Sequence, residues 1–154
     1  MDPASWANLG GALALAGGLL GSAIGIGIAA SAGLATLSED SSQFRNVIIL
    51  SSLPMTQSFY GLIVMILVLT SVIPNVSSEG GSGFMVLGAC LIATFAFAAS
   101  AIYQGSVCAS GNSLLPKTKG GILTSSMMLA VFVELIAVLG LVFTIMAFTL
   151  LGVM

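Results

Sequence analysis

Four long apolar runs dominate the chain, at about Leu9 to Leu34, Val47 to Ile73, Phe84 to Ala109 and Ile122 to Val153. Each meets or exceeds the roughly 20 residues that an α-helix needs to cross the hydrocarbon of a bilayer. The runs are continuous, whereas strands of a membrane barrel alternate over roughly ten residues, so helices are expected. Polar residues gather between them, in the connections Ser38 to Asn46, Pro74 to Gly83 and Gly111 to Gly121. The pattern predicts an all-α membrane protein with helices over about 9–34, 47–73, 84–110 and 121–152.

Composition agrees. Of 154 residues, 58% are hydrophobic and eight carry a formal charge: Asp2, Glu39, Asp40, Arg45, Glu79, Lys117, Lys119 and Glu134. That is too little polar surface for a water-soluble globule. A secretory signal is the competing reading of the N-terminus, but Met1 to Trp6 lacks a positive n-region and the apolar run behind it is too long. All basic residues fall in the connections Ser38 to Asn46 and Gly111 to Gly121. The positive-inside rule then makes both of these cytoplasmic and puts both termini outside, with Trp6 as an interface anchor.

The chain also repeats itself. Ser22-Ala-Ile-Gly-Ile-Gly27 matches Ser100-Ala-Ile-Tyr-Gln-Gly105 at an offset of 78, and Tyr60-Gly61-Leu-Ile-Val matches Leu139-Gly140-Leu-Val-Phe at 79. The unit is a helical hairpin present twice, expected as residues 1–78 and 79–154 in the same orientation. Within each unit the first helix is rich in Gly and Ala, including Gly17, Gly21 and Gly25 at four-residue spacing, and the second carries larger side chains. Small residues at that spacing permit close backbone approach. Wedges of one thin and one thick helix can pack side by side into a closed homo-oligomeric ring, with the first and third helices at small radius. A compact four-helix monomer would use the same small residues for tight packing.

Glu134 is the only ionisable side chain in the apolar core, near the middle of the fourth run. A charged residue at the centre of a membrane helix costs roughly 2.5–3.5 kcal/mol on insertion scales, so it is expected to face protein or an ion, or to be protonated. The repeat places Met55 opposite it, leaving one carboxylate for two hairpins. On the second helix Leu53, Thr56, Gln57 and Tyr60 share one face. Pro54 lies within that set and is expected to bend the helix and loosen backbone carbonyls, which can then act as ligands. Gln104 is the polar candidate on the third helix. Singly these side chains read as interhelical hydrogen bonds, below about 2 kcal/mol each. As a set of carboxylate, hydroxyl, amide and carbonyl oxygens they suit a hard cation.

One carboxylate neutralises one Na⁺, and a bound proton achieves neutrality too; the extra oxygens are what separate the two readings. The Tyr60 ring packs on a neighbouring helix, or its hydroxyl donates to Glu134, with geometry alone favouring neither. The chain has no His, and Cys90 and Cys108 stand about 27 Å apart along one helix, so neither transition-metal ligation nor an internal disulfide is expected. With no GxxxxGK[ST] sequence, nucleotide binding is not expected either.

On these residues the chain resembles the proteolipid of the rotor ring (the c or K type) of V-type rotary ATPases over essentially its whole length. Leu53-Pro-Met-Thr-Gln-Ser-Phe-Tyr-Gly61, Gln104-Gly105 and Val133-Glu134 with Leu139-Gly140 look like the sodium-coupled bacterial members. The resemblance implies Na⁺ held by the Leu53 carbonyl, the Thr56 hydroxyl, the Gln57 and Gln104 amide oxygens and Glu134, with Tyr60 hydrogen-bonded to Glu134. It implies a ring of identical protomers in a bacterial plasma membrane, turning against a stator membrane subunit that carries an essential arginine. Central-stalk subunits would dock on the loops around Asp40 and Lys117, and ATP would be hydrolysed elsewhere in the complex. No nucleic acid is expected among the partners. Met55 departs from the small residue expected there and raises the question of crowding at the site or on its lipid-facing side. The competing functions are the same ring coupled to H⁺ and a small non-rotary channel or proteolipid.

Overall fold

The computed structural model describes residues 2–77 and 81–154. Among the described residues there are four membrane-length helices: α1 Pro3–Glu39, α2 Ser41–Asn75, α3 Ser82–Thr118 and α4 Leu123–Leu150. Glu79 and the expected boundary between residues 78 and 79 lie outside the described residues. No strand occurs among the described residues.

The helices overrun the apolar runs. Most of Ser38 to Asn46 and Gly111 to Gly121, expected as connections, is helical, and within these two stretches the backbone leaves helix only at Asp40 and over 119–121. Arg45 and Lys117 therefore sit on helical turns. The hydrocarbon bounds the length of an apolar run; it does not bound a helix, whose i→i−4 bonds continue into water at no penalty.

The two short connections close by different means. Asp40 accepts from the Ser42 amide at 3.0 Å, from the Ser42 hydroxyl at 2.6 Å and from Gln43 Nε2 at 3.0 Å. These hydrogen bonds hold its carboxyl below the usual carboxylate range, the Ser42 hydroxyl contributing most. The second connection turns on its backbone: Lys119 (φ 50°) and Gly120 (φ 83°) are left-handed. The Gly120 amide reaches the Leu115 carbonyl at 3.0 Å and the Lys119 amide reaches Pro116 at 3.3 Å, which is a Schellman stop.

The most extensive packing is between α1 and α3, followed by α1 with α2 and then α3 with α4. The buried residues of α1 explain the closeness, since all of them are Gly, Ala, Ser or Thr. Within this packing Gly25 and Gly105 meet backbone to backbone. A Cβ on Gly105 would overlap the Gly25 main chain, and one on Gly25 would overlap the Ala101 carbonyl. The thin helices are thus paired at the centre with the thicker α2 and α4 outside them. Toward the basic end, buried Asn112 of α3 donates to the Ala29 carbonyl at 2.8 Å and the Ser51 hydroxyl at 3.2 Å, while the Thr36 hydroxyl donates to its carbonyl at 2.7 Å. At the other end Trp6 meets Phe84 edge-on, with ring centroids 5.9 Å apart.

α2 opens on a 3₁₀ turn, Ser41–Gln43, and its interior departs from regular helix twice. Leu53–Met55 forms a 3₁₀ turn around Pro54, and Val68–Val72 winds as a π-helix ahead of Pro74. The first departure is where the site is built.

Candidate ion-binding site

Pro54 has no N–H to give, so the helix tightens to i→i+3 bonding, and the Thr56 amide bonds the Leu53 carbonyl. That carbonyl is not left free, as loosening alone would have it: the Thr56 hydroxyl also lies 3.3 Å from it. The tightened turn points Leu53, Thr56 and Gln57 toward one another. Thr56 Oγ1 lies 3.2 Å from Gln57 Oε1.

From Gln57 the polar contacts run across the molecule. Its Nε2 donates to Gln104 Oε1 on α3 at 2.9 Å and to Ser100 Oγ at 3.1 Å. Gln104 Nε2 donates to Glu134 Oε2 on α4 at 3.1 Å and to the Ala130 carbonyl at 3.3 Å. The Tyr60 hydroxyl closes the series on Glu134 Oε1 at 2.7 Å. All six residues singled out from the sequence, Leu53, Thr56, Gln57, Tyr60, Gln104 and Glu134, therefore join one hydrogen-bonded chain spanning three helices. Both amides are fully buried, and Glu134 is partly buried.

The two readings of Tyr60 turn out to be compatible. Its ring lies against Phe97 with centroids 6.1 Å apart, while its hydroxyl donates to Glu134. Met55 is 45% exposed and belongs to the outer surface, outside this chain of bonds.

A donor census gives the site its sign. Gln57 and Gln104 each spend both N–H groups on neighbouring oxygens, and reversing the Gln104 amide would set its oxygen against the Ala130 carbonyl and Glu134. What remains is oxygen: the Leu53 carbonyl, Thr56 Oγ1, Gln57 Oε1, Gln104 Oε1 and the carboxylate. Among the described residues no three His, Cys, Asp or Glu side chains come together. One negative charge surrounded by neutral oxygens matches a monovalent hard cation, since a divalent ion would keep an uncompensated charge in a poorly solvating setting.

Ser100 belongs to this network and had no role in the sequence-based site. Its hydroxyl accepts from Gln57 and donates to the Val133 carbonyl at 2.9 Å. The available signal was its spacing, four residues before Gln104 and so on the same helical face.

The family model for the C-subunit of ATP synthase matches the chain twice, over residues 9–68 and 87–147. The chain is 39% identical over 136 residues to the A-type ATP synthase subunit K of Methanocaldococcus jannaschii, covering 88% of this chain and 60% of that protein. It is 35% identical over 123 residues to the V-type sodium ATPase subunit K of Enterococcus hirae, covering 80% and 77%. The chain thus spans less than two thirds of the length of the first relative. The two family matches cover α1 with most of α2, and then α3 with α4, so the duplication inferred from short motifs extends over both hairpins. The chain belongs to the ATP synthase C-subunit family, as a doubled proteolipid of the V/A-type subunit K kind.

Proposed function

We propose that this chain is a rotor-ring subunit of a V/A-type ATPase, which binds and carries one Na⁺ per protomer at Glu134. The observation that carries the reading is the oxygen set just described. Leu53, Thr56, Gln57 and Gln104 supply neutral oxygens next to one carboxylate, and both Glu134 oxygens accept hydrogen bonds, from Tyr60 and Gln104. With both oxygens accepting, the carboxylate acts as an acceptor throughout, which suits a cation site. The sodium ATPase named among the relatives supports the choice of ion.

In this mechanism the loaded site is neutral and crosses the lipid-facing arc of each turn. The empty, ionised site bears the insertion cost of a membrane charge, roughly 2.5–3.5 kcal/mol, and is confined to the interface with a stator membrane subunit. Ion exchange there through two half-channels locks flux to rotation. Driving each ion against 100 mV takes about 2.3 kcal/mol, supplied by nucleotide hydrolysis in the soluble part of the complex, whose central stalk sits on the ends of the helices near Asp40 and Lys117. In this reading that end is cytoplasmic, both termini face outward, and residues 1–78 and 79–154 act as the two repeats.

The experiment is carbodiimide labelling of Glu134 in solubilised protein across pH, with Na⁺, with K⁺ and without either. The reagent attacks the protonated carboxyl, so a bound Na⁺ protects. Protection by millimolar Na⁺ and not by K⁺ is expected. Labelling that follows pH alone means a proton-coupled ring, and a stable monomer in mild detergent overturns the rotor.

A further inference from the structure

We infer that Ser100 is a positioning residue for the cation site, setting which end of the Gln57 amide faces the ion; this rests on the sodium reading above. Ser100 is buried, 2% exposed, and has one proton to give. It gives that proton to the Val133 carbonyl at 2.9 Å, which leaves its oxygen as an acceptor toward Gln57. Only the NH₂ end of the Gln57 amide fits against an acceptor. Nε2 stands 3.1 Å from Ser100 and 2.9 Å from Gln104 Oε1, so both of its protons are committed and Oε1 is turned to the opposite side, beside Thr56. Removing the hydroxyl leaves a buried amide N–H without its partner, and the amide is then free to turn its oxygen out of the ligand set.

The second link is along α4. Val133 immediately precedes Glu134, so the bond from Ser100 ties α3 to α4 one residue from the carboxylate. Outer-shell partners of this kind typically tune metal affinity 10–100-fold without touching the ion.

The duplication supplies an internal control. Ser22, the match of Ser100 in the first hairpin, is equally buried at 3% exposure, yet its hydroxyl has no hydrogen-bond partner. In that hairpin Ile26 and Met55 stand where Gln104 and Glu134 stand in the second. A serine at this place in the fold therefore has a bonding role only where the carboxylate and amide are present.

The test compares Ser100→Ala and Ser22→Ala rings with wild type, reading carbodiimide labelling of Glu134 against Na⁺ concentration and, without Na⁺, against pH, with ring mass checked in mild detergent. Ser100→Ala is expected to raise the Na⁺ concentration for half-protection about 10-fold. Its Na⁺-free pH profile and ring mass stay as in wild type, because Tyr60 and Gln104 still hold Glu134, and Ser22→Ala changes neither curve. If Ser100→Ala does not assemble, Ser100→Cys, which keeps an atom at the place of the hydroxyl oxygen and is a poor acceptor, is expected to show the same shift. Protection at the wild-type Na⁺ concentration in either Ser100 variant overturns the inference, as does a parallel change in the Na⁺-free pH profile, which marks a purely structural role. Wild-type protein that Na⁺ does not protect overturns the sodium reading, and the inference with it.

Discussion

The two hairpins share one ancestry of pattern and differ at the positions where chemistry is done. In the second, Ser100, Gln104 and Glu134 are drawn into a continuous hydrogen-bonded chain with α2. In the first, the matched positions are Ser22, buried without a partner, Ile26, and Met55 on the outer surface. The lesson is that a membrane hairpin can carry the packing pattern without the polar one, because the small residues that set helix spacing and the polar residues of the hydrogen-bonded chain occupy separate positions. α2 is the exception: it belongs to the first hairpin, yet it furnishes Leu53, Thr56, Gln57 and Tyr60 to the carboxylate of the second.

The most severe way to break the comparison is Glu134→Gln, which leaves the apolar core of the second hairpin without a carboxylate, like that of the first. Na⁺ uptake by the assembled complex is expected to fall to background, and full coupling in the variant would remove Glu134 as carrier. The converse, Met55→Glu, gives the first hairpin a carboxylate with none of the partners that surround Glu134. It is expected to lower stability by about 2.5–3.5 kcal/mol and to add no second Na⁺ per protomer, as counted by equilibrium binding to purified rings.

Next come the matched glycines, Gly105 and Gly27. The first lies against the Gly25 backbone and the second has open space around it within the chain. Gly105→Ala is expected to cost about 1–3 kcal/mol in thermal unfolding of the ring, and Gly27→Ala almost nothing. A comparable cost at Gly27 would mean that a neighbouring copy presses on it.

The connections give the smallest effects. Lys119 holds a left-handed conformation that suits glycine, so Lys119→Gly is expected to stabilise by about 1 kcal/mol. For the capping Asp40 the folded pKa is depressed. Its contribution is thus complete above the ordinary carboxylate value of about 3.9, and is lost as pH falls through the lower folded value. Amide exchange at Ser42, corrected for its intrinsic pH dependence, should lose protection over that acid window, and Asp40→Ala should lack the protection at every pH.

Much of the site was legible because its members are rare in apolar sequence: a carboxylate, two glutamines and a Pro-bearing polar face stand out from Leu, Val and Ala. Ser100 did not, and the reason is physical. Serine in a membrane helix ordinarily returns its proton to its own backbone, as Ser106, Ser110 and Ser113 do to the carbonyls four residues before them. Nothing in composition separates those from the one whose hydroxyl turns to another helix. The ends of the helices were overlooked on similar grounds, since polar residues past the hydrocarbon look like loop while their backbone continues to wind. The π-turn at Val68–Val72 left no mark in an unbroken apolar run beyond the Pro74 that follows it.

The backbone contact of Gly25 with Gly105 has a mechanical side. Where two helices touch without side chains between them, no rotamer is available to yield under load, and shear along the pair meets main-chain atoms directly. In the rotor proposed above, a ring of such protomers is a stiff hub that passes torque with little twist of its own, and the elastic give of the motor has to reside in the parts attached to it.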